Sequence, residues 1–386
     1  MMFQYFLPTR IVFGRHAIAD LAKHLKGVFP KARSILLVTG KSHLRAGGAT
    51  DRIIKLLQNF DVYLVDSVEP GPTAATLQAA LKQYRQNPTD LVLAIGGGSV
   101  LDLGKAISVL ATNRGTLAEY QSGKPMRNDA VPFVAIPTTT GTASEMTVWS
   151  VITNSEGAYA GRRKSFSDPR MYPKLAIIDP ELTLSLPREQ TVGTALDILS
   201  ASVESIWSKK RNPVSTVFGL AAIRLVMDAL PKVYDAPDDG DERERLCLAS
   251  LYCGFSVSNS RTGAPHKVSY PLSTHFGLPH GLACALTLPA FLSFIGRRKP
   301  ELLDEIVPAL GCRGPEEAAE SLRAFLKRLG CPSRLSEAGV AAEALPLLER
   351  ESYVKPEEQE DPVPMTPEGV RAILESALEG ALQGNQ

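Results

Sequence analysis

The chain has 386 residues, more than one hydrophobic core usually supports, so length alone implies two domains. With 42 Lys and Arg against 41 Asp and Glu and no long basic block, nothing suggests a nucleic-acid footprint, and a small-molecule partner is expected. Five cysteines form an odd set without a CxxC pair, no leader-like segment opens the chain and no apolar run approaches a membrane span, which together predict a cytoplasmic protein that binds no membrane.

From the N-terminus, short apolar runs alternate with helical periods. Residues 34–40, 61–66, 91–95 and 132–137 read as buried parallel strands, and 50–59 and 73–86 as amphipathic helices. This is the pattern of a doubly wound, dinucleotide-binding α/β domain. Beyond Pro187 the strand signal stops, and 191–208, 214–233, 242–255, 280–294 and 315–329 read as helices. The predicted fold is therefore α/β plus all-α, with a dinucleotide-binding domain over 1–186, a helical metal and substrate domain over 187–386, and a seam at 179–187. Segments 236–241 and 357–364 read as exposed acidic loops.

The strand at 91–95 runs straight into Gly96-Gly97-Gly98-Ser99-Val100-Leu101-Asp102, read as a helix after the glycines. Consecutive glycines let the backbone close on an anion with no Cβ in the way, and the following N–H groups sit at the positive end of a helix. A pyrophosphate is expected there, although a tight strand-to-helix turn needs glycine for its own sake as well. Thr138-Thr139-Thr140-Gly141-Thr142 follows the next strand and adds hydroxyls at the same carboxyl edge, where open α/β sheets bind ligands.

Three of the six histidines, His266, His275 and His280, share one window with Tyr270, Pro271, Gly277, Pro279 and Gly281, while His16, His24 and His43 are scattered. Imidazole is the commonest metal ligand and titrates near neutrality unaided. The window is thus expected to be a site loop that holds a metal or does acid–base work.

In order and spacing, the segment from Gly96 to Ala106, the run Ile136-Pro-Thr-Thr-Thr-Gly-Thr-Ala-Ser-Glu145, Asp179-Pro-Glu-Leu182, Asp197 and the histidine window resemble the iron-containing (group III) alcohol dehydrogenase family. The resemblance runs from about Pro8 to the C-terminal helices. It implies a dehydroquinate synthase-like fold, NAD(P)-dependent alcohol dehydrogenase or aldehyde reductase activity on a small molecule, and a homodimer. Carried over, it puts Gly97, Gly98 and Ser99 on the pyrophosphate, Thr138, Thr139 and Thr142 toward the nicotinamide, and Asp102 and Leu182 beside the cofactor. Gly40 stands where NAD-using relatives often carry an acid. With no carboxylate to repel a 2′-phosphate and with Lys41 and Ser42 adjacent, NADPH is the expected cofactor and NADH the alternative.

The resemblance further implies a metal held by an Asp and three His, with Asp-xxx-His on one helix. Here Asp197-Ile-Leu-Ser-Ala201 has a methyl group in the second place. That leaves Asp197, His266 and His280 for Fe2+ or Zn2+; otherwise there is no metal, and His266, Tyr270 or His280 donates the proton. The stretch around His266, Val203-Glu-Ser-Ile-Trp207 and Met171-Tyr-Pro173 are similar to the phosphonoacetaldehyde reductase (hydroxyethylphosphonate dehydrogenase) branch, implying an anionic aldehyde. Its tail needs cations, and Arg261, His275 and Lys164 are the candidates, with Arg162, Arg163, Arg170 and Lys267 nearby in sequence. A general alcohol dehydrogenase of this family, a dehydroquinate synthase-like lyase or cyclase, and a metal-free dinucleotide-binding protein without activity remain as alternatives.

Overall fold

The structure is a computed structural model that describes residues 2–41, 49–155, 160–161, 163–355 and 359–380. Ser42, His43 and Arg162 lie outside the described residues. The chain divides into two compact units, Leu7–Thr139 with Ala143–Ser185, and Leu186–Gln386 with Met1–Phe6 and Thr140–Thr142.

The first unit contains strands β1 (Arg10–Phe13), β2 (Ser34–Gly40), β3 (Asp61–Val68), β4 (Leu91–Gly96), β5 (Phe133–Pro137), β6 (Trp149–Thr153), β7 (Arg163–Ser167) and β8 (Leu175–Ile178). Helices α1 (Leu21–Val28), α2 (Ala49–Leu56), α3 (Ala74–Gln86), α4 (Gly98–Leu110) and α5 (Leu117–Gln121) lie between them. Six strands form a wholly parallel sheet in the order β1-β8-β5-β4-β2-β3, and β6 and β7 pair separately as an antiparallel ribbon. Period-two alternation splits the strand side chains between two cores. Leu36, Val38, Val92 and Ala94 pack with α3, α4 and α5, while Ile35, Leu37, Leu91, Leu93 and Ile95 pack with α1 and α2. Ile35 to Val38 expose no surface at all, so truncating Leu36 or Leu37 to alanine is expected to cost about 2–5 kcal/mol.

β2 pairs with β3 on one side, and the chain then crosses back to place β4 on the other. The direction of winding reverses between β2 and β4, and the crevice outside the carboxyl ends of such strands is where open α/β sheets take ligands. Gly40 and Gly96 stand at those two ends. Asp179 anchors the last strand's exit: its buried carboxylate accepts from the backbone N–H groups of His16, Ile18 and Glu181.

The second unit contains α6 (Arg188–Trp207), α7 (Pro213–Asp235), α8 (Gly240–Ser260), α9 (Ala264–Phe276), α10 (His280–Arg298), α11 (Ile306–Ala309), α12 (Pro315–Arg328), α13 (Leu345–Ser352) and α14 (Pro367–Glu379), with no strand among the described residues. Two sequence expectations fail here. The histidine window is helix rather than loop: α9 continues through Pro271, ends at Gly277 with φ +66°, and gives way to α10 after Pro279. The prolines and glycines mark a break between two helices. Of the segment 357–364, the described residues 359–364 are not an exposed acidic loop, because Gln359, Asp361 and Val363 are buried. Contrary to the expectation that no apolar run approaches a membrane span, α7 and α10 are long and apolar enough to cross one by composition, although α10 is mostly buried.

Candidate active site

At the end of β4 the glycines do separate jobs. A Cβ on Gly96 would meet Val100 at 2.6 Å, so glycine lets α4 fold back over its own strand. Gly97 caps α4, its carbonyl accepting from the Val100 and Leu101 N–H groups at 2.9 and 3.1 Å. The amides of Gly98 and Ser99 are first-turn donors left without a partner inside the helix, the kind of helix end at which an anion can be held. Ser99 Oγ accepts from the Gly71 N–H at 3.1 Å, Thr138 N–H donates to the Gly96 carbonyl at 3.0 Å, and Thr139 packs where a Gly97 side chain would be.

Other residues expected at the cofactor have partners of their own. Lys41 pairs with Glu69 at 3.0 Å, both exposed, so a carboxylate that sequence reasoning missed shares the β2 edge. A Cβ at Gly40 would have ordinary contacts only, 3.6 Å to Val100 and 3.7 Å to the Val68 carbonyl. Both Asp102 oxygens are engaged, accepting from Ser144 Oγ at 2.6 Å and from the Val151 N–H at 2.9 Å. Leu182 is half-buried against the α1 and α2 side of the sheet, and Thr142 is exposed within the helical unit. Beside Asp102 lies a buried pair that the sequence reading did not single out. Lys105, fully buried, donates to Ser144 Oγ and the Trp149 carbonyl, and burial pulls its ammonium down to about 8. Burial likewise pushes the Glu145 carboxyl up to about 7.

The helical unit assembles the second cluster. α6 presents Asp197 and Glu204, α9 presents His266, and α10 presents His280 and Cys284. One donor atom from each of Asp197, His266, His280 and Cys284 lies within 4.8 Å of the others. Close helix approach makes this possible: a Cβ on Gly281 would sit 2.0 Å from the Gly193 carbonyl oxygen and 2.7 Å from Asp197 N. His266 Nδ1 is 2.6 Å from Glu204 Oε1, and the second oxygen of that fully buried carboxylate accepts from the Gly263 N–H at 2.7 Å. His280 Nδ1 is 3.0 Å from Ser269 Oγ, whose proton goes to the His266 carbonyl. Both imidazoles thus turn Nε2 toward Asp197 Oδ1, at 3.3 and 3.8 Å. That oxygen is buried and accepts no hydrogen bond.

Charge follows the geometry. Burial pushes the Asp197 carboxyl up, yet His280 and His266 outweigh it and hold it below the usual range. Burial opposes a proton on His266, yet Cys284, Glu204 and Asp197 outweigh it and raise the imidazole well above its ordinary value. The Cys284 thiol is pushed up by burial. Two carboxylates, Asp197 and Glu204, thus flank the His266 ring, and a proton on that ring or a bound cation can balance their charge.

Tyr270 stacks on the His280 ring with centroids 5.7 Å apart, and Lys267 Nζ stands 5.9 Å from the Tyr270 ring centre. The substrate cations expected from the sequence are placed otherwise. Arg261, with φ +65°, pairs with Glu360 at 3.1 Å, and His275 pairs with Glu351 at 2.8 Å. Lys164 stands in β7, in the other unit. Sequence reasoning also missed Cys284, Glu204 and Ser269. Cys284 follows His280 by one helical turn, a spacing that was available to read.

A parallel sheet with a glycine turn at the end of β4 and a helical unit with a metal-type donor set are the parts expected of an NAD(P)-dependent alcohol dehydrogenase or aldehyde reductase, and the relatives are enzymes of that class. Profiles described as iron-containing alcohol dehydrogenase match residues 8–180 and, for the C-terminal part of the same family, residues 191–378, and the chain belongs to this family. It is 30% identical to the NAD-dependent methanol dehydrogenase of Bacillus methanolicus over 98% of this chain and all of that one. To the 1,3-propanediol dehydrogenase of Klebsiella pneumoniae it is 32% identical, over 90% of this chain and 91% of the relative. Among solved structures, the sulfoacetaldehyde reductase of Bifidobacterium kashiwanohense in complex with NAD+ superposes with a TM-score of 0.91 at 28% identity, covering 98% of this chain and 99% of that one.

Proposed function

We propose that this chain reduces a small aldehyde with an anionic tail to its alcohol, with NADPH as preferred hydride donor and phosphonoacetaldehyde as the favoured substrate. The observation that carries the reading is the buried Asp197 oxygen that accepts no hydrogen bond while two imidazole Nε2 atoms face it. Carboxylate oxygen and ring nitrogen at these separations fit a divalent ion, so Asp197, His266 and His280 would hold Fe2+ or Zn2+. Such an ion supplies Lewis-acid polarisation of a carbonyl, and a bound nicotinamide supplies the hydride.

The chain's own residues set the conditions for that chemistry. Glu204 and Ser269 hold the tautomers and orientations of the two imidazoles. Tyr270, flat against His280, is assigned proton donation to the reduced carbonyl oxygen. Lys267, beside the Tyr270 ring that stacks on His280, is assigned the anionic tail. The likeness to a sulfoacetaldehyde reductase supports an anionic substrate. The NADPH preference rests on the absence of a carboxylate at Gly40. The Lys41–Glu69 pair is an exposed ion pair worth about 0–1 kcal/mol, so a 2′-phosphate competes for Lys41.

A metal-free second reading is favoured by one observation, the stacking of Tyr270 on His280, which would let these side chains or His266 serve as the proton source. Homodimeric assembly and a cytoplasmic location belong to the same proposal. Profiling NADPH and NADH oxidation against matched anionic and neutral aldehydes tests the substrate and cofactor reading. A higher kcat/KM for the phosphonate and for NADPH is expected, and equal turnover of neutral aldehydes of the same length would contradict the anionic assignment.

A further inference from the structure

Ala201 removes a potential donor from α6, and the same region of the unit gains one on α10. Cys284 lies one turn after His280, on the same face, and its Sγ is within 4.8 Å of the donor atoms of Asp197, His266 and His280. Bonds of about 2.0–2.3 Å in a tetrahedral set put donor atoms roughly 3.3–3.7 Å apart. Asp197 Oδ1 is 3.3 Å from His266 Nε2 and 3.8 Å from His280 Nε2, close to those edges. Asp197 itself is more than nine-tenths buried, and that oxygen accepts no hydrogen bond. Cys284 is free and fully buried, and the remaining cysteines, Cys247, Cys253, Cys312 and Cys331, fall outside the cluster.

We propose that Cys284 Sγ is a metal ligand, completing an Asp197, His266, His280 and Cys284 set in which sulfur on α10 replaces the nitrogen that Ala201 cannot offer on α6. The assignment rests on the metal reading above. Coordination would displace the Cys284 S–H proton to solvent, and a thiolate among the donors draws the site toward zinc, for which mixed sulfur and nitrogen sets are usual. Four protein donors also mean that a substrate oxygen enters as a fifth.

Cobalt separates the possibilities. Chelator-treated full-length protein titrated with Co2+ alone is expected to show visible ligand-field bands together with a near-ultraviolet sulfur-to-cobalt charge-transfer band, each saturating at one ion per chain. Cys284→Ser, with Cys284→Ala as a second variant should the first not fold, is expected to keep the visible bands and lose the near-ultraviolet one. Visible bands without the near-ultraviolet band in the wild type would overturn the sulfur ligand and leave the Asp197, His266 and His280 site standing. A near-ultraviolet band that survives in both variants would also overturn it. Absence of any cobalt uptake would remove the metal reading and the sulfur ligand together.

Discussion

Gly281 is the point at which helix packing controls the chemistry, and replacing it tests that link without touching a donor atom. An alanine methyl there would lie 2.0 Å from the Gly193 carbonyl oxygen, 2.7 Å from Asp197 N and 2.8 Å from Asp197 Cβ, whereas ordinary contact begins at 3.4 Å. The nearest atom is backbone within α6, so α10 must shift by about 1.4 Å, carrying His280 and Cys284 away from Asp197. Overpacking of this kind costs about 1–3 kcal/mol. Metal sites tolerate distance errors of only about 0.2 Å, so zinc affinity is expected to fall by at least about 100-fold, or roughly 2.7 kcal/mol. Gly277→Ala is the matched control. Its φ of +66° costs an L residue about 1–2 kcal/mol, but no atom lies within 4 Å of the added methyl. Thermal denaturation and zinc titration of both variants decide the matter. Gly281→Ala with wild-type zinc affinity, or Gly277→Ala losing affinity as severely, would refute the packing argument.

Gly40→Asp fits sterically and should shift preference from NADPH toward NADH by about 10–100-fold, read from the two Kd values; an unchanged ratio removes the β2 edge from cofactor choice. Lys267→Gln is expected to raise KM about tenfold for the anionic aldehyde and to leave neutral aldehydes unaffected. In a Cys284→Ser background, Ala201→His puts an imidazole one turn from Asp197 and should recover about tenfold of the lost zinc affinity; no recovery would mean position 201 does not face the ion. Glu145, raised from 4.5 to about 7, keeps in the folded state a proton that the unfolded chain releases. Its contribution is therefore full below pH 4.5 and declines, by roughly 3 kcal/mol in all, as pH rises through 7. Glu145→Gln should flatten that part of the Tm profile, and an unaltered slope would place the titration elsewhere.

Legibility followed burial. β2, β4 and β5 read directly from the chain because strands covered on both faces appear as unbroken apolar runs. β1 and β8 escaped notice at four residues each, and the β6–β7 ribbon carries few buried apolar residues, Ile152 and Phe166 among them. α9 was misread because Pro271 and the clustered histidines mimic loop composition, although a helix tolerates proline where neighbours hold its shape. Asp197, His266 and His280 were legible as a set. Cys284 and Glu204 were within reach, one and two helical turns from residues already chosen, whereas Lys105 and Glu145 emerge only when α4 and the segment after β5 pack together. The partners of Arg261 and His275 come from distant sequence, which no local pattern announces.

The most direct test is to count metal in the purified protein and to follow NADPH oxidation by an anionic aldehyde before and after chelation of the same sample. Activity is expected to disappear with the ion and to return with one Zn2+ or Fe2+ per chain, and to stay absent in Asp197→Ala under identical loading. Full activity in protein that holds no ion would contradict the Lewis-acid reading and leave the reduction to proton donation by His266, Tyr270 or His280.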